Sequence, residues 1–170
     1  MFGRRALIAA VILFAAGGAQ ARPHTLECRP VVAAPVTASD INCALRRWYD
    51  AVNAKPGVPG NVGMLYAERD SLLLSTLRPA PFQGRASITS YFVGLLAHPR
   101  LSVTSDQPRT IPDKIDLFPT GGAVSGFYTF RWQDPNEPET VAPARFTFVY
   151  RLDPGARQLT IVTHHSSKLP

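Results

Sequence analysis

Near its C-terminus the chain places two imidazoles and two alcohols side by side: His164, His165, Ser166 and Ser167. A neutral imidazole, with an ordinary pKa of about 6.5, can take a proton from water. Hydroxyls fixed in a dry pocket stabilise negative charge as it develops on oxygen better than they would in water. If the segment is extended, successive side chains alternate, so His164 and Ser166 share one face and His165 and Ser167 the other. The same alternation keeps His164 and His165 from chelating one metal ion. A catalytic zinc needs three protein ligands around an open position. Beyond this pair only His24 and His98 remain as histidines, so no cofactor is expected and zinc is the minor alternative. Cys28 and Cys43 have no CxxC partner, which leaves a redox or zinc role without support.

Several residues elsewhere suit the same chemistry. Tyr128 and Thr147 carry hydroxyls on segments that read as strands, and Thr110 precedes them. Tyr128, Phe130 and Trp132 fall on one face of their segment, with Phe146, Phe148 and Tyr150 on another. These six read as cross-strand packing, or as a dimer face, rather than as ligand-stacking rings. Arg100, Arg109, Arg131, Arg145 and Arg151 are scattered in the way of a solvated surface.

The elements that must position these groups are legible in outline. The chain has 170 residues, 45% hydrophobic and 18% charged, which suits one globular domain and argues against disorder or a multi-span membrane protein. Met1 to Ala21 reads as a secretory signal peptide: Arg4 and Arg5, an apolar run from Ala6 to Ala16, then Ala19-Gln20-Ala21 as a small-x-small cleavage site. Removing it lowers the formal charge of +6 by Arg4 and Arg5, and a remainder that small does not argue for nucleic acid. The mature protein is expected to be secreted or periplasmic and free of the membrane. In an oxidising compartment Cys28 and Cys43, the only two cysteines, are expected to form a disulfide.

Residues 22–39 read as an arm and 40–170 as the domain. Asp40 is a plausible N-cap for a helix with Ile41, Ala44, Leu45, Trp48 and Val52 on one stripe, ended by Lys55-Pro56-Gly57. A short second helix is expected from Asn61 to Tyr66, a brief strand at 71–75, and a helix from Gly84 to Ala97 stopped by Pro99. Alternating segments follow at about 101–105, 111–118, 122–133, 141–151 and 157–166, with Asp153-Pro154-Gly155 as a tight turn. Helices followed by antiparallel strands give an α+β fold with helices on one face of a curved sheet.

Residues 145–150 (RFTFVY) and 159–170 (LTIVTHHSSKLP) resemble the C-terminal strand pair of bacterial proteins with a calcium/calmodulin-dependent kinase II association domain. Residues 125–130 (SGFYTF) resemble the preceding strand, and Leu65, Tyr66, Ala67, Tyr91 and Phe92 occupy the expected helix positions. The likeness spans nearly all of 41–170. It implies a nuclear-transport-factor-like cone, a curved antiparallel sheet wrapped around N-terminal helices, forming homodimers or larger homo-oligomers. No kinase activity is implied, since the glycine-rich loop, HRD and DFG motifs are absent. Exported relatives with this ending resemble iota-class carbonic anhydrases, some of them metal-free, which suggests a lyase interconverting carbon dioxide and bicarbonate. In that reading His164 is the base, and Ser166, Tyr128 and Thr147 are hydrogen-bonding groups inside the cone. His165, Ser167 and Thr110 are the candidates if the other face points inward. The relatives often carry two tyrosines where this chain has Phe127 and Tyr128, so the hydroxyl is present only if position 128 lines the pocket. Two other functions share the scaffold: a non-catalytic hub or module binding a small carboxylate, and a SnoaL-like isomerase or cyclase.

Overall fold

A computed structural model describes residues 28, 34–106 and 113–170. The expected signal peptide, most of the arm and Thr110 lie outside the described residues. Helix α1, Ala38–Asn53, buries Ile41, Leu45, Trp48 and Val52, as their spacing requires. Its N-cap is Thr37 rather than Asp40. The two form a capping box: the Asp40 amide donates to Thr37 Oγ1, and the Thr37 amide donates to Asp40 Oδ2 at 2.9 Å. The arm is tied to this helix by a disulfide between Cys28 and Cys43, as expected, with 5.1 Å between the α-carbons.

Helix α2, Pro59–Gly63, starts on a proline whose missing N–H is no loss in the first turn. It stops before Tyr66, which instead bridges to Ile161. Strands β1 (Leu72–Leu74) and β2 (Phe82–Gln83) lead into α3, Gly84–Leu96, and β2 has no counterpart in the sequence reading. The rest is strand: β3 (Ser102–Ser105), β4 (Lys114–Phe118), β5 (Gly121–Trp132), β6 (Thr140–Asp153) and β7 (Gln158–Lys168).

These seven strands form one curled, unclosed sheet in the order β2-β1-β7-β6-β5-β3, with β4 beside β3 on the same edge of β5. The architecture is the expected α+β arrangement of a curved sheet around helices. One pairing departs from it, because β1 runs parallel to β7, with Leu73 opposite His164. The inner face carries Val124, Tyr128, Phe130, Phe146, Phe148, Tyr150 and Ile161, all buried against Trp48 and Phe92. The aromatic stripe of β5 and β6 is therefore packing, as its composition suggested. At the Asp153 turn, the Gly155 and Ala156 amides donate to Asp153 Oδ1 at 2.8 and 3.0 Å. These bonds hold the carboxyl below the usual carboxylate range.

A bulge decides which side of β7 looks inward. Leu159 and Ile161 are buried, and simple alternation would send Thr163 and His165 after them. Yet Ile161 opposes Tyr150 while Thr163 opposes Val149, so Val162 is an extra residue. The alternation resets there, and His164 and Ser166 become the buried pair while His165 is exposed.

Candidate functional site

His164 sits at the centre of the concave face, buried between aromatic rings. Phe148, its cross-strand partner, stacks on it with ring centroids 3.9 Å apart, and the Trp48 indole meets it edge-on at 5.3 Å. Both ring nitrogens have partners. Nδ1 lies 2.8 Å from the Tyr66 hydroxyl and Nε2 lies 3.3 Å from the Tyr128 hydroxyl.

Donor chemistry gives this network a direction. The indole N–H of Trp48 can only donate, and it does so to the Tyr66 oxygen at 3.1 Å. The Tyr66 proton then has His164 Nδ1 as its acceptor, which leaves the imidazole proton on Nε2. That N–H points at the Tyr128 oxygen, so the Tyr128 proton is free to be donated onward. Its neighbours there are the hydroxyls of Ser166 and Thr76, which contact each other. The chain runs Trp48, Tyr66, His164, Tyr128, then Ser166 and Thr76.

Electrostatics agree with a neutral network. Burial pushes His164 down to about 3, with the His165 charge a smaller cause in the same direction. Burial also raises the Tyr66 and Tyr128 phenols well above their ordinary range. The network ends in a hollow of about 10 Å³ bounded by Thr76, Ser75, Tyr128, Ser166 and the rings of Tyr91 and Phe92. That is room for about one water molecule. Tyr91 and Leu95 belong both to this hollow and to a larger cleft outside it.

Of the residues singled out from the sequence, Tyr128, His164 and Ser166 come together. The Phe127 or Tyr128 alternative resolves to Tyr128, because position 128 lies on the buried face of β5. Thr147 does not join them. It opposes His165 across the β6–β7 ladder and faces outward, where its hydroxyl lies 2.8 Å from that of Ser125. Residues directly opposite in a ladder share a face, so Thr147 and His164 cannot both line the cone. His165 is exposed, and Ser167 takes a bond from Arg145 Nε at 2.8 Å on the same outer side. Among the described residues no three His, Cys, Asp or Glu side chains gather where they could hold a metal ion. His98 lies at the rim, its Nδ1 3.0 Å from Asp134 Oδ1.

Three members of the network escaped the sequence. Trp48 and Tyr66 look like core residues, and nothing in their spacing signals a hydrogen bond between them. Thr76 follows β1 in a turn, and only the parallel pairing of β1 with β7 carries it to Ser166.

A curled open sheet around helices, with a polar cluster at its centre, defines a cone-type α+β domain. Solved structures place it more narrowly. A calcium/calmodulin-dependent protein kinase II association domain from Xanthomonas campestris is similar at 27% identity, over 80% of this chain and 90% of that one, with a TM-score of 0.67. A nuclear transport factor 2-like protein of Salmonella enterica serovar Typhimurium has a TM-score of 0.64 at 15% identity, covering 76% of this chain and 89% of its own. A ketosteroid isomerase-like protein from Erwinia carotovora atroseptica gives 0.61 at 12% identity, over 78% and 95%. The fold of this chain is that of the nuclear transport factor 2-like superfamily. No family model and no curated protein matches the sequence.

Proposed function

We propose that the protein is an exported lyase interconverting carbon dioxide and bicarbonate at the Tyr128–Ser166–Thr76 cluster. One observation carries this reading: three hydroxyls meet in a one-water hollow, at the end of a hydrogen-bond chain whose direction Trp48 fixes. In hydration, the one water the hollow holds forms a bond from its oxygen to the carbon of carbon dioxide at the mouth of the hollow, on the side of the larger cleft, while one C=O pair withdraws to oxygen. Tyr128, donating outward, stabilises that oxygen. The proton released from water passes along the Ser166 and Thr76 hydroxyls to solvent. Preorganised donors in a site this dry need no reorganisation as charge develops.

His164 takes a different role from the base expected of it. The Tyr66 proton occupies its Nδ1 lone pair, and burial disfavours its cation. It is a positioning residue that holds Tyr128 as a donor. The disulfide supports the export half of the proposal, since such bonds persist in oxidising compartments. An isomerase reading finds less support, because no carboxylate lines the hollow to take a carbon-bound proton.

Stopped-flow hydration by the purified mature protein tests the proposal. A rate above buffer is expected, unchanged by chelator, and reduced on the order of a hundredfold by Tyr128→Phe. Thr147→Val should leave it unchanged. If His164 only positions Tyr128, the rate shows no inflection between about pH 5 and pH 7.5, the range in which an imidazole base would titrate. No rate above buffer ends the reading and leaves a binding module of the same fold. A rate abolished by chelator ends its metal-free form.

A further inference from the structure

Two spaces meet at helix α3: the one-water hollow at the Tyr128–Ser166–Thr76 cluster, and an open cleft of about 530 Å³ outside it. Of the residues that line either space, only Tyr91 and Leu95 line both. They stand four positions apart on α3, so they share one face of the helix and form the wall between the two spaces. The two halves of that wall differ in freedom. Leu95 is buried and belongs to the core. Tyr91 is partly exposed, and on its outer side lies the cleft, which is large enough to receive its ring.

The Tyr91 ring is held from three directions. The Phe82 ring of β2 and the Phe92 ring of α3 each lie 5.1 Å from it, centroid to centroid. Its hydroxyl has that of Ser75 as a neighbour. Ser75 stands directly before Thr76, and its hydroxyl donates to the Arg78 carbonyl at 3.3 Å. The ring therefore joins α3 to the turn that carries one of the three site hydroxyls. Swinging it into the cleft breaks ring contacts but no backbone pairing, so the closed wall dominates and brief openings are fast.

We propose that Tyr91 is the specificity-determining residue of the hollow, its ring narrowing the mouth so that slim linear molecules pass while flat or branched ones wait in the cleft. A hollow filled by one water leaves the second reactant in the mouth, so the width of the mouth selects it. Linear carbon dioxide passes the closed ring, whereas trigonal bicarbonate moves in either direction only when the ring swings out. The assignment deepens the hydration reading and takes its chemical meaning from it, but the filter itself is measured without turnover.

The chain has two tryptophans, Trp132 on the cleft and Trp48 on the hollow, so Trp132→Phe leaves Trp48 as the one emitter. Quenching of its fluorescence by dissolved oxygen reports the passage of a slim diatomic, and quenching by acrylamide that of a flat amide. With Tyr91 in place, oxygen should quench Trp48 and acrylamide should scarcely do so. Tyr91→Ala in the same background should raise the acrylamide constant by at least about tenfold, the weight of two ring contacts that no longer have to break, and leave the oxygen constant nearly unchanged. Tyr91→Phe, which keeps the ring and loses the hydroxyl, should still hold acrylamide out. Tyr91→Leu, which fills more of the gap, takes the place of the alanine variant if that one does not fold. Equal acrylamide constants with and without the ring, or an oxygen constant that rises as steeply as the acrylamide one, would overturn the assignment. Stopped-flow hydration separates the two proposals. A filter that holds without hydration above buffer ends the lyase reading alone, and hydration without a filter ends this one alone.

Discussion

Acidification should unfold this protein earlier than its carboxylates alone would. In the folded state His164 is buried and neutral, with its pKa pushed down to about 3. In the unfolded chain it returns to about 6.5. Between those values the unfolded state binds the proton and the folded state does not, so stability falls as pH falls through the window. The contribution is complete above about pH 6.5. Linkage with these two pKa values gives a loss of about 2 kcal/mol between about pH 7.5 and pH 5. For a domain of this size that lowers the urea midpoint by about 1 M. Asp153, held below the usual carboxylate range by the Gly155 and Ala156 amides, acts at lower pH than this window. Urea titrations at a series of pH values measure the slope, and the imidazole resonances of the folded protein report the site directly. A flat midpoint across the window would refute the reasoning, as would a His164 resonance that titrates near 6 in the folded state. The resonance test does not depend on whether a His164 variant folds.

Three further outcomes follow from the packing. Reducing the Cys28–Cys43 bond should lower stability by roughly 3 kcal/mol if the loop-entropy account holds, read as a fall in melting temperature on adding reductant. Trp48→Phe and Tyr66→Phe should each destabilise by about 1–3 kcal/mol, but the double variant by clearly less than their sum, since both break one chain of bonds. Additivity in urea titrations would mean that the chain is not coupled. Gly121→Ala should cost about 1–3 kcal/mol, because the new Cβ would collide with the Tyr150 carbonyl and stand 2.8 Å from the Phe118 ring. An unchanged midpoint would show that the strand relaxes freely there.

Local signals carried much of this molecule. Apolar spacing marked α1 and α3, alternation marked β3 to β7, and Asp153-Pro154-Gly155 marked the last turn. The error at the start of α1 was local too: Thr37 and Asp40 are both good capping residues, and only the reciprocal bonds show which is the N-cap. The short β2 has too few residues to show a period. Through its aromatic and alcohol content the sequence also determined that Tyr128, His164 and Ser166 were candidates. It could not determine that they meet. That depended on a single extra residue, Val162, which resets the alternation of β7 and turns His164 inward instead of His165. Pairing across the ladder then sent Thr147 outward, and the parallel contact of β1 with β7 brought in Thr76. A bulge and a parallel pairing are properties of which strand lies beside which. They are fixed by long-range packing, and no stretch of neighbouring residues encodes them.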